Sequence, residues 1–471
     1  MFDSAKIRKS ISIRLSIYMY NESSSMEKRK YIWFFARLIV TLHHNYKLTA
    51  MKILHTSDWH LGHTLYNYDR TEEQQAMLEQ MVSIVEEQKP DVFLLCGDVY
   101  HTPQPSAAVQ TMLSDGLVRI HEANPEMTIV MTAGNHDSGT KHEIFQTPWK
   151  ALKVYAIGQL EKDNLDEHII EVPEKGYIVA IPYANERNIP EGFFQQLLDR
   201  VAEKNAKELP VVMTAHTTVK GCDFTGHDHA TEFTVGGIDS LELEDMGEGY
   251  DYLALGHIHH EQFVHSGKHK ARSSESHQAC LNGRVVTREG KASVRYCGTP
   301  LPVSFDECSA EGRLQGKNFS HSVSMVEVGK HGDTPKVEKI EIQNPHPLVT
   351  LPTDGLASWE DAKELLGQFP DDIPAYIRLN VEIEDFLPVE ANAEADSLTK
   401  GKQCRFCYIN AKRKAASQSE TKILTVQEFQ SEEPIEIAKR YAEYAGISFD
   451  EDMTAMFNEV MEMVANDSRN D

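Results

Sequence analysis

Met51-Lys52-Ile53-Leu54-His55-Thr56-Ser57-Asp58-Trp59-His60 is the stretch whose reading decides the fold. A short apolar strand runs straight into a polar cluster, and the same arrangement returns four more times. Strands are expected at 52–56, 92–96, 128–132, 211–214 and 252–255. They end in Ser57-Asp58-Trp59-His60, Gly97-Asp98, Gly134-Asn135-His136-Asp137, Ala215-His216 and Gly256-His257-Ile258-His259. Helical segments lie between them, which predicts an α/β domain whose strand ends converge on one rim.

Together these clusters offer carboxylates, imidazoles and one amide, the mixed oxygen and nitrogen donors that suit Mn or Fe. In an extended chain, residues two apart face the same side, so Asp58 with His60 and His257 with His259 are expected to aim at common centres. Asp98, with two carboxylate oxygens, is expected to bridge two cations about 3.5–4 Å apart. Each cluster alone has an ordinary reading: Asp58 as a helix cap, Gly97-Asp98 as a turn, His216 as a hydrogen-bonded structural histidine. Five independent accidents would be needed to place such residues at the ends of five strands.

The order Asp-x-His, Gly-Asp, Gly-Asn-His-Asp, His, Gly-His-x-His resembles the calcineurin-like metallophosphoesterase superfamily. Ile53 to Gly62, Cys96 to His101, Ala133 to Ser138, Ala254 to His259, Arg295 to Pro300 and Ser304-Phe305-Asp306-Glu307 are similar to its SbcD branch, the nuclease subunits of bacterial SbcCD complexes. The resemblance implies a sandwich of two mixed sheets flanked by helices, with a small α+β cap and a helical C-terminal tail. It implies one metal at Asp58, His60, Asp98 and His259, and another at Asp98, Asn135, His216 and His257, with manganese usual. It places His136 beside the scissile phosphate, Asp137 as the residue orienting that ring, and His101 at a second active-site histidine position that other members often lack.

The implied activity is exonuclease action on double-stranded DNA ends and endonuclease action on single strands or hairpins, in repair, recombination and replication. ATP would enter through an SbcC-type coiled-coil ATPase in a heterotetramer of two nuclease and two ATPase subunits, because no G-x-x-x-x-G-K-[ST] loop occurs in this sequence. A protein phosphatase or small phosphodiesterase on the same fold is the alternative enzyme. Val99-Tyr100-His101-Thr102-Pro103 in place of Asp-Arg-Gly after Gly-Asp disfavours it. A non-catalytic scaffold would be expected to lack ligands, and all are present.

The 471 residues suggest a large domain with appendages. Boundaries are expected at 51–345 for the phosphoesterase, 346–420 for the cap and 421–471 for a partner-binding tail. Residues 1–50 are expected to be disordered or an artefact of start-site assignment, translation beginning at Met51. No apolar run of about twenty residues occurs, and seven cysteines without an export signal fit a reducing cytoplasm. A net charge of −25 runs against the basic surface typical of DNA-binding proteins; bound cations or a partner would supply positive field.

Cys404-Arg405-Phe406-Cys407 is a lone C-x-x-C, and His227-Asp228-His229 reads as a solvated loop. Residues 266–291 read as a surface insertion. In the cap, a helix is expected at 358–369 and a strand at 376–382. Lys400, Lys402, Arg405, Lys412, Arg413 and Lys414 form either a phosphate track or an ordinary solvated charge run. Capping boxes at Thr425 to Glu428 and Ser448 to Glu451 open two tail helices. The second carries an apolar stripe of Met453, Met456, Phe457, Val460, Met461 and Val464, suited to a partner helix or to packing on its own domain.

Overall fold

The computed structural model describes residues 50–223, 240–264, 277–281, 284–291, 294–308, 321–384, 386–413 and, in the tail, 435, 439, 442, 449, 453, 454, 456 and 457. Expectations for residues 1–49, for His227 and His229, for Lys414, Val460, Met461 and Val464, and for both tail capping boxes lie outside them. The strands of the first half are β1 (Met51–Thr56), β2 (Val92–Cys96), β3 (Thr128–Thr132), β4 (Val154–Ile157), β5 (Ile169–Val172), β6 (Gly176–Ala180) and β7 (Val211–His216). Then follow β8 (Tyr252–Gly256), β9 (Gln262–Phe263), β10 (His277–Leu281), β11 (Arg284–Lys291), β12 (Val294–Tyr296), β13 (Ser322–Val328) and β14 (Lys336–Glu341).

They build two mixed sheets, ordered β10-β11-β14-β13-β1-β2-β3-β4 and β5-β6-β7-β8-β12-β9. Within them β1 to β4 run parallel, as do β6, β7, β8 and β12. Strand alternation explains the packing. Ile53, Val92, Leu94 and Val130 point inward to meet Ile178, Val212, Tyr252 and Ala254 of the other sheet. Their neighbours Leu54, Phe93 and Leu95 point outward, under helices α1 (Thr71–Gln88) and α2 (Ala107–Ala123). On the far side, Met213, Ala215, Leu253 and Leu255 pack with Phe194, Leu197 and Val201 of a third long helix, Phe193–Lys204. Strands buried on both faces read as continuous apolar runs, which is why all five were visible in the sequence. The segment read as a surface insertion contributes β10 and β11, which extend the edge of the large sheet beyond β14.

A smaller layer follows: strands Leu348–Leu351, Tyr376–Ile383 and Arg405–Arg413 form one sheet, with helices Trp359–Gln368 and Ala391–Thr399. The Ser358 hydroxyl accepts the Asp361 N–H and caps the first helix. Tyr376 and Leu348 pack with Leu65 and Phe305 at the seam to the large domain. There Arg378 pairs with Asp306 at 2.6 Å, and Tyr66 stacks on Tyr408 with centroids 4.5 Å apart. Lys402 does not join a phosphate track: its ammonium donates to the Gly367 and Phe369 carbonyls and pairs with Asp371, tying off the end of the cap helix. Arg405 lies over the Tyr68 ring. Cys404 enters the cap core and Cys407 the seam, so the two thiols serve different clusters.

Residues from Arg413 onward form a separate compact unit. Its described positions 435, 439, 442, 453, 454, 456 and 457 are helical, with Ala442 buried and Met453 and Met456 exposed.

Leu94 is fully buried between the two sheets. Leu94→Ala is expected to cost about 2–5 kcal/mol of stability, read as a lowered midpoint in urea denaturation.

Candidate metal centre

Six of the seven predicted ligands are side chains at the ends of β1, β2, β7 and β8, and Asn135 follows β3. The route by which they converge differs from the pleat argument. Asp58 (φ 53°), His60 (φ 44°), Asp98 (φ 46°) and His257 (φ 95°) all have left-handed backbones and lie beyond the strands. Each is a strained position for a residue with a Cβ. Backbone bonds hold them there: Asp58 N–H donates to the Gly97 carbonyl, His60 N–H to Asp98, Leu61 N–H to Val99 and His101 N–H to Leu61, each at 3.0 Å. The parallel pairing of β1 and β2 thus continues through the loops that carry the ligands.

Close approach explains two motif glycines. A Cβ at Gly97, whose φ is +84°, would collide with the His216 ring, and one at Gly134 with the Asp98 carboxylate. Only glycine lets these loops come together.

Asp58, His60 and His259 form one group of donors within 4.8 Å of one another, and Asp58, Asp98 and His216 a second. Asn135 Oδ1 stands 3.1 Å from His216 Nε2 and 3.0 Å from His257 Nδ1. Asp98 Oδ2 lies 3.7 Å from His60 Nε2 and 3.4 Å from His216 Nε2. Its other oxygen accepts the His136 N–H at 2.9 Å. The carboxylate expected to bridge through two oxygens therefore presents one, Oδ2, to both histidines.

These residues fit a pair of cations. The Cys96 carbonyl can only accept, so His216 donates from Nδ1 and keeps a lone pair on Nε2. That lone pair faces the acceptors Asn135 Oδ1 and Asp98 Oδ2. Likewise His259 donates from Nδ1 to Glu307 at 2.9 Å, turning its Nε2 to His60 Nε2 at 3.1 Å. Such convergent lone pairs demand a positive charge between them. Protons answer that demand in part: burial would depress both rings, but Asp98 beside His216, and Glu307 beside His259, more than offset it and push each up to about 9. Burial would raise the Asp98 carboxyl, yet His216 and His60 hold it well below the usual carboxylate range.

His101 and His136 are neighbours. The rings of His101 and His136 stack at 24° with centroids 5.6 Å apart, and His136 Nδ1 donates to the His101 carbonyl at 2.9 Å. That carbonyl orients His136. Asp137, expected in the role, instead accepts the backbone N–H groups of Val99, Tyr100 and Gly134 and ties two loops together.

Two residues escaped the sequence reading. Glu307, far along the chain, fixes the tautomer of His259, and its second oxygen accepts the Val303 N–H at 3.1 Å. Its only signal was an acidic residue in Ser304-Phe305-Asp306-Glu307. His63 lies with its ring centroid 4.6 Å from that of His101, and its Nδ1 accepts from Arg70 at 3.3 Å. Burial and the Arg70 charge push it down to about 2, so it is neutral.

Residues 51–261 match the family model described as calcineurin-like phosphoesterase. Three relatives, each named as the SbcD component of the nuclease SbcCD, align with the chain. The Rhodobacter capsulatus protein is 26% identical over 334 residues, 65% of this chain and 73% of its own. The Escherichia coli K12 protein is 24% identical over 364 residues, 72% and 79% respectively. The Bacillus subtilis protein is 24% identical over 363 residues, 72% and 81%. With two mixed sheets flanked by helices and the motif ligands gathered at their strand ends, residues 51–261 are a calcineurin-like phosphoesterase domain, in a chain that resembles the SbcD nucleases over 65–72% of its length.

Proposed function

We propose that this chain is the metal-dependent DNA nuclease subunit of an SbcCD-type complex, acting as a double-strand exonuclease and a single-strand or hairpin endonuclease in DNA repair. The observation that carries this reading is the convergence of lone pairs from Asp58, His60, Asp98, Asn135, His216 and His259 beside the His101–His136 pair. Asp58, His60, Asp98 and His259 would hold one cation, and Asp98, Asn135, His216 and His257 the other, with Mn2+ the expected ion. When bound, such a pair lowers the pKa of water and neutralises charge on a phosphoryl group. The chain's own residues do the rest. Glu307 and the Cys96 carbonyl hold His259 and His216 in the ligating tautomer. His136, fixed at Nδ1, moves a proton at Nε2 to the leaving oxygen, help typically worth about 10² to 10⁴ in rate.

No helix among the described residues is long and apolar enough to cross a membrane. A cytoplasmic site of action and an SbcC-type ATPase partner belong to the same reading. So do the division into phosphoesterase domain, cap and tail at 345 and 420, and the assembly of two subunits of each kind. In the tail, exposed Met453 and Met456 lie near Phe457, whose ring is 6.4 Å from that of Phe449, and supply an adaptable apolar face for a partner helix.

Three experiments test these assignments. With Mn2+, the protein is expected to cleave DNA and leave a phosphopeptide intact; phosphopeptide turnover without DNA cleavage would overturn the nuclease reading. His136→Ala should retain both cations while losing about 10² or more in rate, whereas Asp98→Ala should lose metal as well, metal content and rate being measured on the same samples. Replacing Met456 and Phe457 with Asp should abolish co-purification with the ATPase while single-strand cleavage by the isolated nuclease survives. An intact complex would assign the stripe to packing within its own unit.

A further inference from the structure

One short 3-10 turn, Phe305–Cys308, stands between the cap and the ligands of one cation, and its first three side chains go to different destinations. Phe305 is buried in the seam with Leu348 and Tyr376 of the cap and with Leu65, in the loop that follows His60. Asp306 accepts from Arg378 of the cap at 2.6 Å. Glu307 accepts the Nδ1 proton of His259 at 2.9 Å and the Val303 N–H at 3.1 Å. Adjacent Cα atoms are held about 3.8 Å apart, so a shift of Asp306 is passed on to Glu307.

The cap holds its end of this chain firmly. Arg378 stands on the middle strand of the cap sheet, with its side chain only 2% exposed. Its Nε donates to the Thr350 hydroxyl at 3.1 Å on one neighbouring strand, and Nη1 to the Tyr408 hydroxyl at 3.3 Å on the other. The guanidinium also lies 5.3 Å from the centre of the Phe305 ring. A buried guanidinium needs its donors met and its charge paired, and Asp306 supplies the carboxylate. The cap sheet thus grips the turn at Phe305 and Asp306, and the next residue holds His259. The second donor group is supported differently: His216 is oriented from within the large domain, by the Cys96 carbonyl at 2.8 Å.

We propose that Arg378 is a positioning residue for the cation assigned to Asp58, His60, Asp98 and His259, acting from the cap through Asp306 and Glu307. The seat of the cap and the affinity of that one cation then depend on each other, because coupling between two sites is reciprocal. The inference rests on the two-cation reading, which makes His259 a ligand.

Mn2+ titrations followed by the paramagnetic resonance of the free ion resolve two binding steps, and Glu307→Gln marks the one to which His259 contributes by weakening it about 10-fold or more. Asp306→Asn and Arg378→Gln should each weaken that same step by about 5-fold or more and leave the other unchanged. The double variant should bind no more weakly than either single one, since both remove one link, whereas general loosening of the fold would add. In return, Mn2+ should slow amide hydrogen exchange in the cap strand Tyr376–Ile383 of the wild type but not of Asp306→Asn. Asp306 is half-exposed, so Asp306→Asn decides alone, by binding and exchange, if Arg378→Gln does not fold. Wild-type binding in these variants, additive losses, or cap exchange that ignores Mn2+ in the wild type would overturn the link and leave the cation pair standing. No step altered by Glu307→Gln, or no Mn2+ bound, would overturn the assignment of His259 to a cation and this inference with it.

Discussion

Two carboxylates, Asp58 and Asp98, are buried where the two sheets of the sandwich meet, and everything around them answers that cost. Isolated buried carboxylates are strongly unfavourable. Here they are faced by His60, His216 and His259, fixed by backbone N–H groups from His136 and His257, and surrounded by residues in left-handed conformations. The apolar interior between the sheets supplies the stability that strain and desolvation withdraw. The site thus sits at the end of strands buried on both faces, where a deep core adjoins the rim.

The five strands were legible because their apolar runs are continuous and each ends at a motif residue. The cap helix and strand were legible for a similar reason, a capped amphipathic segment followed by an alternating one. The residues that converge were named from the sequence, but the route inferred for them was wrong: Asp58 and His60 come together through two left-handed positions, a conformation that residue type does not announce. Asp137 was misassigned because adjacency in sequence suggested contact with His136, whereas its carboxylate turns the other way to collect backbone donors.

What the sequence concealed was mostly support at a distance. Glu307 lies 48 residues beyond the histidine it orients, and nothing local marks it as a partner. His63 looked like one more residue after Asp-x-His, yet it sits against His101 under the charge of Arg70. Lys402 stood in a basic run, and its use as a helix-end donor became visible only when the cap helix and the strand after it were in place.

The bond from the His136 main chain to Asp98 has an evolutionary consequence. The N–H that pins the carboxylate belongs to the backbone, so every amino acid except proline supplies it equally well. Position 136 is free to change its side chain without disturbing the neighbouring donors. On the role proposed for His136, a lineage of this fold can therefore shed hydrolysis by one substitution while keeping Asp98 in place, and can recover it by a single reversion.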